Sequence, residues 1–144
     1  MAAFADDILA LIAEGDSTSI LQQVTSDVLD AINAPGEAPY PPDFVDQGVR
    51  GYTRMLRESL EGGSGEFRRA YAETAVPAAV ASAGSAAKVV RDAALFTSLL
   101  GANLVCRVRA EVRSDAIAWW ARFASDYLHD VAVAAFEAER ELAG

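Results

Sequence analysis

"AAKVVRDAALFTSLLGANLV", residues 86–105, decides the fold class. Val89, Ala93, Phe96, Leu100 and Leu104 recur in steps of three and four, Leu99 widens the apolar face, and Val108 extends it. That is the 3.6-residue period of a helix; a strand would alternate every second residue. Ser85 stands where a helix N-cap is needed, because its hydroxyl can accept a backbone N–H that the first turn leaves unpaired. The run is expected to continue to about Arg113. Gly101 inside it weakens the helix and permits another helix to come close.

The same period extends in both directions from this segment. Downstream, Ser114 is expected to open a last helix over about Asp115–Leu142. In "AIAWWARFASDYL", residues 116–128, Trp120, Phe123 and Tyr127 share a core-facing stripe. Trp119 points about 100° away from it and is expected at a groove, an interface or the surface. Upstream, Ser64 is expected to cap a helix that turns Phe67 and Tyr71 inward, is kinked or split at Pro77, and ends near "ASAGS". Before that, Phe44, Val45, Val49, Tyr52, Met55, Leu56 and Leu60 mark a helix stopped by "EGGSGE". An opening helix over Ala3–Ala13, stopped by Gly15, and a second one capped by Ser17 and ending near Asn33 complete the pattern. "APGEAPYPPD", residues 34–43, is a proline-rich connection, with Pro42 well suited to the first helical position. Residues 1–41 are read as N-terminal helices and a connection within the same domain, and 42–144 as its helical core. No alternating strand pattern and no repeat appears, so the expected class is all-α.

The 144 residues are 52% hydrophobic and carry a formal net charge of −9. Nonspecific nucleic-acid binding depends on lysine and arginine neutralising phosphates, so this balance argues against it. A single cysteine, Cys106, excludes an internal disulfide, and its apolar neighbours lead us to expect an inert, buried thiol. The acidic start "MAAFADD" has no basic n-region of a secretory signal, and no apolar run is long enough to span a bilayer. A soluble cytoplasmic protein is expected.

Catalytic motifs are missing: the sequence has no Gly-rich phosphate loop, HExxH, paired Cys-x-x-Cys or nucleophile elbow. No enzyme activity, cofactor, metal or catalytic residue is assigned. Asp126-x-x-His129 has ligand spacing on a helix face, but it occurs once, whereas a dimetal bundle site needs the unit twice. It is read as a solvated patch. Arg50, Arg54 and Arg57, and Arg107, Arg109 and Arg113, are read as solvated faces balanced by Glu58, Glu61, Glu111 and Asp115.

From Phe44 onward, the succession of "RMLRESLEGGSGEFRRAY" (54–71), "AVASAGS" (79–85), "AAKVVRDAALFTSLLGANLV" (86–105) and a long last helix resembles the N-terminal domains of the RsbR family of stressosome proteins. The resemblance implies a globin-like fold without haem, a homodimer, a role in bacterial stress signalling, and a terminal helix leading into a STAS output domain. The only histidine, His129, lies in the last helix, away from the mid-fold position from which a globin holds haem. "FEAERELAG" (136–144) reads as a helix running on toward an output domain absent from this chain. Leu128, Val131, Ala135, Ala138 and Leu142 alternate in steps of three and four, a short pairing seam.

Three functional readings follow. The first is a non-enzymatic sensory and dimerisation domain whose interface uses Trp119, Phe123, Tyr127, Leu128, Val131 and Ala135. The second is a small-molecule-binding helical regulatory domain, like the ligand-binding part of a TetR-type repressor, with Tyr71, Phe96 and Trp120 in its pocket. The third is a haem or metal protein.

Overall fold

A computed structural model describes residues 3–12, 20–32 and 42–144, without the side chains of residues 32 and 42–45. The expected stop at Gly15, the cap at Ser17, the end near Asn33, the connection over 34–41 and the side chains of Phe44 and Val45 lie outside that description. Within it the chain is all-α: α1 (Ala3–Leu11), α2 (Ile20–Ile32), α3 (Pro42–Leu60), α4 (Glu66–Ala83), α5 (Ala86–Val105) and α6 (Arg113–Ala143). Pro42 is the first residue of α3, where its missing N–H leaves no hydrogen bond unmade.

The 31 residues of α6 form the axis of the fold. Helices α4 and α5 pack along it, α2 lies on α5, α3 bridges α2 and α4, and α1 closes over α5 and α6. Ile8, Leu21, Met55, Leu56, Leu100, Leu104 and Val131 are fully enclosed where these elements meet. Gly101 sits directly against the indole of Trp120, so the close approach of α5 to α6 depends on the absence of a side chain there.

Helix ends are held by tertiary contacts as well as local ones. Ser64 does not cap α4. The N-cap is Gly65, left-handed at φ 83, and the side chain of Glu58 reaches across from α3 to accept from Phe67 N at 2.8 Å and Arg68 N at 3.3 Å. A carboxylate there also favours the positive end of the helix dipole. Ser85 does cap α5, accepting from Lys88 N at 3.2 Å, and Glu139 of α6 accepts from Ala86 N at 3.0 Å. Pro77 neither splits α4 nor ends it. Pro77 and Glu73, whose carbonyl it leaves without a helical partner, are both exposed, so water can satisfy that oxygen.

The long segment after Ser85 ends sooner than its apolar period suggests. Helix α5 stops at Val105, a 3₁₀ turn covers Ala110–Val112, and α6 starts at Arg113, with Ser114 already inside it. Side chains take over the carbonyls at this junction: Arg107 donates to Asn103 O at 2.9 Å and Arg113 to Val108 O at 2.8 Å. Val108 still buries itself, whereas Cys106 turns outward in the bend. The expected buried thiol is an exposed one: two residues on from Leu104, it stands about 200° round the helix from that buried side chain.

Candidate functional site

Among the described residues, five helices border a cavity of about 130 Å³ that is partly open to solvent. Val28 and Leu29 come from α2, Val49 and Tyr52 from α3, Tyr71 and Val76 from α4, Asp92 and Phe96 from α5, and Tyr127 and Val131 from α6. The lining is apolar except for Thr25, three phenols and one carboxylate. This is the usual composition of a small-molecule pocket: an apolar cavity with few, convergent polar groups.

The phenols are grouped by ring packing. Tyr52 sits 4.5 Å from Phe96 and 5.1 Å from Tyr127, centroid to centroid, the latter edge-on. Tyr71 reaches the cavity across a notch in α3: its ring lies against Gly51, and its hydroxyl is 3.9 Å from where a Cβ on Gly48 would stand. Burial pushes the Tyr71 hydroxyl up to about 12. Burial likewise raises Tyr127 and Tyr52, with the neighbouring Tyr127 adding to the effect on Tyr52. All three are neutral hydrogen-bonding groups at physiological pH, since an ionised phenolate in this wall would lose its solvation.

Asp92 is the buried charge, 6% exposed. Lys88 Nζ lies 2.9 Å from one of its oxygens and Arg91 Nη2 3.3 Å from the other. A buried carboxylate is tolerated only with such partners. Sequence reasoning missed it, although an acid at the i+3 position from Val89 inside an apolar face, with Lys88 one turn before it, was a readable signal.

Of the expected pocket residues, Tyr71 and Phe96 line this cavity and Trp120 does not. Trp120 is turned to Gly101 instead, packed at 5.3 Å from Phe123. The expected interface residues are also placed differently. Trp119, Phe123, Tyr127, Val131 and Ala135 are buried by the chain's own helices, and only Leu128 is partly open. Trp119 donates to Ser59 Oγ at 2.8 Å and packs 5.8 Å from Phe4, so its contact role is internal. Val131, Ala135 and Ala138 of the seam face the core, because α4 and α5 already occupy that side of α6, while Leu128 is half-buried and Leu142 exposed. The apolar side chains that α6 leaves exposed are Ile117, Val133, Phe136 and Leu142.

His129 is exposed, and its neighbours Asp126 and Asp130 both turn to Arg68, at 3.8 and 2.8 Å. Among the described residues no group of three or more His, Cys, Asp or Glu side chains converges. No protein-family model, curated protein or solved structure matches the chain. Two of the arginines reach across to other elements: Arg54 stacks over Phe67 at 4.2 Å, and Arg109 pairs with Asp7 at 2.9 Å, tying α1 to the turn before α6. The Arg109 side chain and backbone N–H hold the Asp7 carboxyl below the usual carboxylate range. Arg109 was expected to be balanced by Glu111 or Asp115; its partner is a residue 102 positions away. Among the described residues no helix is long and apolar enough to cross a membrane.

Proposed function

We propose that this chain is a non-enzymatic sensory domain whose stimulus is a small molecule held in the tyrosine-lined cavity. The observation that carries the reading is the convergence of five helices on that one space, with α6 contributing Tyr127 and Val131 midway along its length. A guest that repacks those two side chains acts on the axis of the fold, and differential affinity for two positions of α6 is all that a sensor requires. The polar groups favour binding over chemistry. The phenols are held neutral and the carboxylate is ion-paired, so no activated nucleophile or general base faces the space. A haem reading draws no support from the lining, which offers neither histidine, cysteine nor methionine, and its phenols resist the ionisation that iron ligation needs.

The regulatory setting rests on the resemblance to RsbR-type domains, as do the globin-like topology, the role in stress signalling and the pairing of two copies. A second copy would meet α6 on its outer face, where Val133 and Phe136 are exposed, and not along the buried seam.

Xenon under pressure, followed by amide chemical shifts, tests the reading. Residues lining the cavity are expected to respond first, and the response is expected to continue along α6 beyond Val131 toward Ala143. Ala93→Leu, which fills the space with three further carbons, is expected to abolish it. A response that stops at the lining would remove the sensory part of the proposal, and a protein that takes up no xenon would remove all of it.

A further inference from the structure

Resting on the pairing of two copies in the proposed function, we infer that the partner of α6 is a second α6 running antiparallel to it, about a two-fold axis at Val133. Val133 is 47% exposed and Phe136 50%, so the outer face of this helix holds an apolar centre open to water. The other two exposed apolar side chains, Ile117 and Leu142, stand away from it, about 160° and 180° round the helix from Val133.

Charge sets the direction. Asp126 and Arg140 are each seven residues from Val133 and lie within about 20° of it around the helix. His129 and Glu137 are each four residues away and within about 40°. In the first pair the acid precedes Val133 and the cation follows; in the second the histidine precedes and the acid follows. All four residues are exposed. Among the described residues Glu137 and Arg140 form no ion pair, and Asp126, its side chain 61% exposed, reaches Arg68 only at 3.8 Å.

Two-fold symmetry turns this order into complementarity. An axis across the helices at Val133 sets each residue level with the one equally far on the other side of Val133 in the partner. Arg140 then meets the partner's Asp126, and Asp126 the partner's Arg140. His129 comes level with the partner's Glu137 and beside the ring of the partner's Phe136, which closes the apolar centre together with Val133. A parallel pair would instead bring Arg140 to Arg140, Asp126 to Asp126 and Glu137 to Glu137, and like charges facing one another disfavour that register. A uniformly acidic partner would oppose Asp126 and Glu137, and a uniformly basic one Arg140. The face complements its own reverse.

The test uses single cysteines on a Cys106→Ser background, which removes the chain's own exposed thiol. A disulfide needs Cα atoms about 4.4–6.8 Å apart. Val133→Cys, on the axis, is expected to oxidise to a linked dimer. Asp126→Cys and Arg140→Cys are each expected not to link to themselves, because the antiparallel pair holds the two copies of either residue about 21 Å apart. An equimolar mixture of those two variants is expected to give the mixed disulfide. Self-linking at 126 and at 140 would show a parallel pair and overturn the inference while leaving the pairing of copies in place, and a dimer that Val133→Cys does not link would place the interface elsewhere. Sedimentation at rising concentration supplies the second measurement. Arg140→Asp, which sets acid against acid at both ends, is expected to raise the dimer dissociation constant about tenfold; an unchanged constant would overturn the inference. A wild-type chain that stays monomeric at millimolar concentration would remove the pairing from the proposed function as well. The xenon response of the cavity does not depend on pairing, so the sensory reading and this one fail separately.

Discussion

Gly51 and Gly101 each lie under an aromatic ring that reaches over from another helix, Tyr71 in one case and Trp120 in the other. Helix propensity alone favours alanine at such positions by about 1 kcal/mol. A Cβ on Gly101 would fall far inside contact distance of the indole, and overpacking of this kind costs about 1–3 kcal/mol. Gly101→Ala is therefore expected to be destabilising, by up to about 2 kcal/mol net, in urea unfolding; a stabilised variant would show that α5 and α6 can separate at no cost. Gly101 could be read from the sequence as a point of close approach, because glycine inside a long apolar period has few other uses. The placement of Trp119 could not. Its partners, Phe4 and Ser59, come from α1 and α3, and Ser59 is 60 residues away, so the helical wheel of α6 alone leaves the ring pointing at nothing. Asp92 was readable in principle, since a single acid in the middle of an apolar face needs a counter-ion, and Lys88 stands one turn away.

Among the elements, α4 shows how a helix start can be supplied from elsewhere. Its own preceding residues, Ser64 and Gly65, give no side-chain cap, and Glu58 does the work from the last turn of α3. Glu58→Ala is expected to lower stability by about 1–2 kcal/mol. Faster hydrogen exchange at the Phe67 and Arg68 amides would identify α4 as the element affected, and unchanged exchange there would assign those amides to another acceptor. Sequence rules favour a serine directly before the helix, whose hydroxyl reaches an amide two or three residues on; a carboxylate nine residues before the amide it caps is invisible to them. The same limit explains α5. Its period runs on to Val108, but periodicity records which side chains are buried, not which backbone groups are helical, and the arginines that take carbonyls four and five residues back at the junction leave no mark on it.

Taken whole, the molecule contains three phenols whose protons the fold retains. The tyrosine side chain ordinarily ionises near 10.0, and burial lifts Tyr71 to about 12, with Tyr52 and Tyr127 raised in the same direction. Below about pH 10 the phenols are neutral in both folded and unfolded chains, so these groups add no pH dependence there. Above it the unfolded chain releases protons that the folded chain keeps, and stability falls by about 1.4 kcal/mol per pH unit for each phenol still neutral in the fold. Urea midpoints are accordingly expected to stay level to about pH 10 and drop between 10 and 12, with tyrosinate absorbance rising together with loss of helical signal. Absorbance of more than one of the four tyrosines rising ahead of unfolding would place these phenols in water. The all-α class and the order of helices could be read from the 3.6-residue period, since that period is itself the imprint of one buried face. The cavity could not, because an unfilled volume is the residue of how five helices fail to close, and no single helix encodes it.

That unfilled volume also makes the folded chain bulkier than its atoms require. Hydrostatic pressure destabilises folded domains in proportion to the empty internal volume that unfolding eliminates, and whatever part of this space the five helices shield from water counts against the fold. Compression therefore works against this fold at its centre, and a guest seated among Tyr52, Tyr71 and Tyr127 would make the protein harder to crush as well as harder to melt.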